Sequence, residues 1–290
     1  MAETATPIED VDFSGWVGRS EVTTDTATES SIARLFALLD HQAGPQAGSL
    51  VPLSHWLHFT PTQRQSGLGE DGHPALGDFL PPVPLPRRMW AGSRIEFHSA
   101  IRTGQNLRRT STIDSIAFKA GKSGRLCFIV LRHDVFADEI LALTEHQSLV
   151  YREAASASPP LPPVVTPTSI DGWEWDLPCL PTEVMLFRYS ALTFNAHRIH
   201  YDLPYATGVE GYPGLVVHGP LVATLLLDAF TRHNPGQEVT RFEFAAKHPL
   251  FVNRAIQLCG RSDGAGRAEL AAVDLEGRAA ITAAVEFRGA

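Results

Sequence analysis

The chain has 290 residues, 44% of them hydrophobic, with a formal net charge of −8 at pH 7 and a pI near 5.8. That size suffices for one large packed domain or two ordinary ones, and the acidic balance excludes nucleic acid as a general partner, because duplex binding draws most of its affinity from clustered Lys and Arg. No run approaches the roughly 20 apolar residues that span a bilayer, and the acidic start MAETATPIEDVD lacks the basic and apolar regions of a signal peptide, so a cytoplasmic protein away from membranes is expected.

In chain order, the first predicted element is a helix from Ile32 to Leu39 with Thr28 as its cap. The stretch Thr60 to Arg88 is irregular and rich in Gly and Pro; loops of that length in compact domains usually carry function, so it is expected to border the ligand site. Strands are predicted at Arg94 to Ile101, Leu107 to Lys119 and Gly124 to Val135. Ala154 to Ser169, AASASPPLPPVVTPTS, has five prolines and no charge and reads as a linker between residues 1–153 and residues 170–290. In the second half, Pro220 suits the first position of a helix running to Thr231, and PLVATLLLDAF is apolar on nearly every face, as a helix wrapped by a sheet would be. Strands follow at Val239 to Ala246, Ala255 to Gly260, Ala268 to Asp274 and Ala279 to Phe287. The three cysteines, Cys127, Cys179 and Cys259, form no C-x-x-C pair and read as buried free thiols.

The halves resemble each other. Ser93 to Ile113 laid over Thr240 to Gly260 aligns Arg94 with Arg241, Glu96 with Glu243, Phe97 with Phe244 and Asn106 with Asn253 without gaps, at an offset of 147 residues. Offset and linker position agree, which points to a duplicated α+β domain, each half an antiparallel sheet wrapped around a central helix.

Chemistry concentrates between Phe187 and Gly219, where Asn195, His197, Arg198, His200, Asp202 and His218 lead into the apolar helix. Asn195 and His200 are five apart and converge only if the chain bends between them. His200 is the expected general base: an imidazole accepts and returns a proton near neutral pH, and the Asn195 amide can hold a water without competing for the proton. A packed, hydrogen-bonded histidine is the other reading of the same residue. Main-chain N–H groups at His218 and Gly219, at the start of the helix, suit a developing oxyanion, as in adding water to a double bond conjugated to a thioester; the glycines Gly214 and Gly219 otherwise simply make a turn. His197, His200 and His218 raise the possibility of a metal, but the spacing has no glutamate or thiolate partner, and none is expected.

YSALTFNAHRIHYDLPYA, with the later YPGLVVHGPL and the distant FLPPVPLPRRMWAG, resembles the MaoC-like hydratase/dehydratase family of double hotdog enzymes. The likeness is to the branch of mesaconyl-C4-CoA and itaconyl-CoA hydratases and 3-hydroxyacyl-thioester dehydratases. The wider family has a motif G-D-x-N-P-[LIV]-H whose Asp and His hold and activate the catalytic water. On this chain the His position is His200, the apolar position Ile199, and the Asp position falls on Asn195, which cannot act as a base. The resemblance therefore implies His200 as sole proton carrier, Asn195 orienting water, and Asp202 as a fallback carboxylate. It further implies an N-terminal half that lacks the motif and helps form the ligand tunnel.

The expected substrate is an α,β-unsaturated acyl-CoA, the CoA being part of the substrate and no other cofactor needed. Arg87, Arg88 and Arg198 favour one with an extra carboxylate, since guanidinium forks fit carboxylates and CoA phosphates alike; a solvated basic pair is the plainer reading of Arg87 and Arg88. Tyr212 and Gly214 complete the expected substrate-binding set. A fatty-acyl 3-hydroxyacyl-thioester dehydratase and a non-catalytic thioester-binding protein are the competing readings. A monomer with an internal pseudo-dimer, or a homodimer, is the expected assembly.

Overall fold

The computed structural model describes residues 12–42, 51–121, 124–154, 160–161 and 172–289. In chain order its elements are β1 (Ser20–Thr26), α1 (Glu29–Leu38), β2 (Arg87–Phe97), β3 (Asn106–Gly121), β4 (Gly124–Ala137), β5 (Ile140–Arg152), β6 (Trp175–Cys179), α2 (Glu183–Thr193), α3 (Leu203–Gly208), α4 (Gly219–His233), β7 (Gln237–Ala246), β8 (Ile256–Ser262), β9 (Arg267–Val273) and β10 (Ala279–Gly289). The proline-rich stretch 154–169 lies outside the described residues except at 154, 160 and 161.

All ten strands form one antiparallel sheet in the order β1-β3-β4-β5-β2-β7-β10-β9-β8-β6. Read outward from the centre, the two halves have the same topology: β2, β5, β4, β3, β1 on one side and β7, β10, β9, β8, β6 on the other. The fold is the expected double hotdog, and the seam is β2 against β7. There Ile95 faces Phe242, while Arg94 faces Glu243 and Glu96 faces Arg241. Ile95 and Phe242 are 147 residues apart, so the sequence offset is the one that pairs equivalent residues at the centre of the seam, with reciprocal opposite charges on either side.

The helices form where capping and burial agree. Thr28 caps α1 by accepting from the Ser31 N–H, and Ile32, Leu35 and Leu38 are its buried stripe. In α4, Leu221 to Leu227 are buried without a break, together with Ala229 and Phe230, which accounts for its lack of a polar face. The β4–β5 hairpin turns through Asp138 and Glu139, both with positive φ (45° and 65°), the twist a two-residue hairpin needs.

Several elements depart from expectation. β2 begins at Arg87 rather than Arg94, and β1, β5, β6, α2 and α3 were not predicted. β1 and β5 are masked in the sequence because their inward faces are partly polar: half-buried Glu21, Thr23 and Asp25 in β1, and Glu145 and Gln147 in the middle of β5. Their apolar alternation is broken where the protein needs polar groups inside.

Candidate active site

α2 stops at Thr193 because Phe194 adopts a left-handed backbone conformation, with φ 49°. Asn195 then accepts the His197 N–H on Oδ1 (2.9 Å), and a 3-10 turn over Arg198–His200 follows. Asp202 caps α3 through the Tyr205 N–H (3.1 Å) and holds Arg198 at 3.0 and 2.8 Å. This is the bend that brings Asn195 and His200 to one wall.

His200 is buried, and its Nδ1 lies 2.7 Å from the Val216 carbonyl oxygen. A carbonyl only accepts, so Nδ1 carries the proton and Nε2 keeps its lone pair. The ring stacks on His218 with centroids 3.6 Å apart. His218 is the N-cap residue of α4 and pairs through Nε2 with Ser190 Oγ at 2.9 Å. Imidazole and helix start therefore share one surface.

A loop from the N-terminal half closes over this segment. Asp71 accepts the His73 backbone N–H on Oδ1 (3.0 Å) and the His73 Nδ1–H on Oδ2 (2.8 Å), and the His73 ring lies 4.1 Å from that of His197. The loop is latched by the Arg198 N–H donating to Asp71 O (2.9 Å) and Arg198 Nη1 donating to Glu70 O (3.1 Å). Gly72 (φ 90°) makes the approach possible, because a Cβ there would sit 2.0 Å from Ala196 O. The expected ligand-bordering role of residues 60–88 thus takes a specific form. The signal missed in the sequence was Asp71-Gly72-His73, a turn that folds a carboxylate back onto an imidazole.

These groups line a cavity of about 1280 Å³ shared by both halves. Burial pushes His73 and His200 down to about 4. Burial, reinforced by repulsion from neighbouring imidazoles, holds His197 and His218 well below the ordinary value. These shifts favour the neutral form of all four rings. Burial works to raise the Asp71 carboxyl, but the His73 hydrogen bonds and charge hold it below the usual carboxylate range. The cavity is also lined by polar groups of the N-terminal sheet: buried Glu145 with His55 (3.1 Å) and Trp56 (3.0 Å), and His133 between Ser111 (2.9 Å) and Gln147 (3.2 Å).

Of the residues singled out in the sequence, Asn195, His197, His200, Tyr212, His218, Gly219 and Arg88 line the cavity, and Arg87, Arg198, Asp202 and Gly214 do not. Arg87 follows the opposite face of β2 from Arg88 and is buried against Glu210 (Nε–Oε2 2.9 Å), near the Tyr212 ring. Arg198 is spent on Asp202 and on the Tyr205 ring, 4.0 Å from its guanidinium carbon, which also removes Asp202 as a fallback carboxylate. Gly214 lies against Leu161 and Phe251, away from the cavity.

Asp71, His73 and His197 offer donor atoms within 4.8 Å of one another. Each Asp71 oxygen accepts one His73 N–H, which leaves His73 Nε2 with a free lone pair. Of the sequence trio His197, His200 and His218, His200 donates Nδ1–H to the Val216 carbonyl and His218 pairs through Nε2 with Ser190 Oγ.

Comparison with known proteins agrees with this architecture. The profile of the family described as "Hydroxyacyl-thioester dehydratase type 2" matches residues 53–252. The chain is 44% identical to the mesaconyl-C(4)-CoA hydratase of Chloroflexus aurantiacus, over 96% of this chain and 99% of that protein. It is 30% identical to the mitochondrial hydroxyacyl-thioester dehydratase type 2 of Schizosaccharomyces pombe, over 73% of this chain and 77% of that one. In fold it is similar to HtdX of Mycobacterium tuberculosis, with a TM-score of 0.65 at 18% identity, covering 94% of this chain and all of the other.

Proposed function

The chain belongs to the hydroxyacyl-thioester dehydratase type 2 family, and from that premise we propose that it hydrates the double bond of a dicarboxylic α,β-unsaturated acyl-CoA such as mesaconyl-C4-CoA, with His200 as general acid/base. It is a hydro-lyase of acyl thioesters. The observation that carries the role of His200 is its free Nε2 edge on a cavity wall shared with the start of α4.

The reaction follows from the tautomer. His200 Nε2 takes a proton from water as the water oxygen bonds to Cβ. The double-bond electron pair moves onto the thioester oxygen, where the main-chain N–H at Gly219 and the α4 dipole stabilise the enolate charge. A proton then returns to Cα as the carbonyl re-forms. Asn195, its Oδ1 already accepting the His197 N–H, has its NH₂ left to donate to the water oxygen. The chemistry needs no cofactor beyond the CoA of the substrate.

Arg88 supports the extra carboxylate: it lines the cavity, and no salt bridge among the described residues claims it. A fatty-acyl 3-hydroxyacyl-thioester dehydratase is the second reading, favoured by the family description and the fission yeast relative. Side-by-side sheet pairing is met within one chain, so a single polypeptide suffices as the functional unit. No helix among the described residues is long and apolar enough to cross a membrane. Purified protein offered mesaconyl-C4-CoA, itaconyl-CoA and crotonyl-CoA separates the readings by loss of enoyl-thioester absorbance. Turnover of crotonyl-CoA alone would overturn the dicarboxylate.

A further inference from the structure

We propose that Asp71 and His73, from the N-terminal half, form a second proton-transfer unit of this active site and stand in for the carboxylate that Asn195 lacks. This rests on the hydration reading above. Asn195 cannot act as a base: its amide has no basic lone pair, and its one acceptor is turned onto the His197 N–H. The pair Asp71–His73 supplies both missing properties. The carboxylate fixes the ring with Nδ1–H toward Oδ2 (2.8 Å), leaves Nε2 as the proton acceptor, and stabilises the imidazolium when it forms.

Its placement is built rather than incidental. The latch from Arg198 to Asp71 and Glu70 and the Gly72 contact with Ala196 hold the loop against the segment that carries His200. The His197 ring stands between the two units, 4.1 Å from His73 and 5.4 Å from His200. All the rings line the same cavity.

The proton balance closes with every ring neutral at the start. His200 takes the proton of water as the C–O bond forms and the enolate appears. That proton is exchanged through cavity water for one taken up at Nε2 of His73, where Asp71 offsets the positive charge. His73 then delivers it to Cα as the enolate collapses, leaving all rings neutral and water added across the double bond. Substrate hydration at Cβ and protonation at Cα are thereby assigned to different halves of the chain.

The test compares His73→Ala, His73→Gln, Asp71→Asn and His200→Ala in the full chain, with folding followed by circular dichroism. His73→Ala is expected to lower kcat about 100-fold with KM changed less than about threefold, and Asp71→Asn to lower kcat about tenfold. Imidazole added to the buffer is expected to restore His73→Ala by about tenfold or more, which a merely structural role would not allow. His73→Gln, closer in volume, carries the same expected loss of kcat, without rescue by imidazole, if the alanine variant fails to fold. If His200→Ala is inactive while folded His73→Ala or His73→Gln stays within about threefold of wild type, this inference is overturned and the hydration reading stands. If His200→Ala stays active and His73→Ala does not, the role given to His200 falls and the Asp71–His73 pair remains as the proton carrier.

Discussion

The ring of His200 lies flat against that of His218, 3.6 Å between centroids and 20° from parallel, with His218 capping the helix whose buried length is the core of the C-terminal half. The proposed base is thus positioned by the same element that would offer its helix start to a developing oxyanion. Both rings are kept neutral by burial, and two stacked imidazolium ions would repel.

His200→Ala should lower kcat by about 10²- to 10⁴-fold, the range for loss of a general acid/base. Steady-state hydration of mesaconyl-C4-CoA checks this, and a rate unchanged from wild type removes His200 from the mechanism.

The active form of His200 is neutral, and its pKa is pushed down to about 4. kcat/KM should therefore stay level from about pH 8 to about pH 5.5 and fall only as acid approaches the folded-state value. An acid limb centred at the ordinary histidine value would mean that the ring is solvated in the free enzyme.

Adjacent arginines should behave oppositely. Arg87→Ala leaves Glu210 buried and unpaired and should cost about 3–5 kcal/mol of stability. Arg88→Ala removes a cavity-lining cation and should raise KM for the dicarboxylic substrate by about tenfold or more while changing stability by less than about 1 kcal/mol. Urea unfolding and KM, measured on both variants, separate the two roles; equal KM effects would contradict the opposite facing of the side chains.

Gly72→Ala should be destabilising by about 1–3 kcal/mol, because its φ of 90° disfavours a Cβ and that Cβ would meet Ala196 O at 2.0 Å. The loop should lift from the site, and kcat should fall with it. A Gly72→Ala protein of wild-type stability and rate would show that the latch is dispensable.

Stability should fall as pH drops from 6.5 towards 4. His73, His133 and His200 are all pushed from 6.5 to about 4 by burial. Between those values the folded chain binds fewer protons than the unfolded one, so stability rises with pH through the window, by at most on the order of 3 kcal/mol per ring. The urea midpoint measured across this range checks the sign, and a flat profile would contradict it.

Much of the frame was legible in the linear chain. The apolar run after Pro220 announced a sheet-wrapped helix, and the offset between Arg94 and Arg241 announced the duplication, because periodicity and repetition survive in one dimension. The segment from Asn195 to His218 was legible for the same reason: its groups are near neighbours along the chain. α2 escaped notice because its apolar residues mark no single face; Leu186 is buried while Val184 and Phe187 are exposed.

What the sequence by itself determined is therefore the architecture and the segment proposed to bear the chemistry. Only tertiary structure decided which polar side chains reach the cavity. Arg87 and Arg88 are consecutive, yet the alternation of a β-strand sends one to Glu210 and the other to the cavity. Asp71 and His73 lie more than a hundred residues before His197, and they meet it because a glycine lets one loop touch the backbone of the other half. Spacing along the chain encodes local elements; the direction of a side chain and the docking of a distant loop are set by packing that exists only once the two halves have joined.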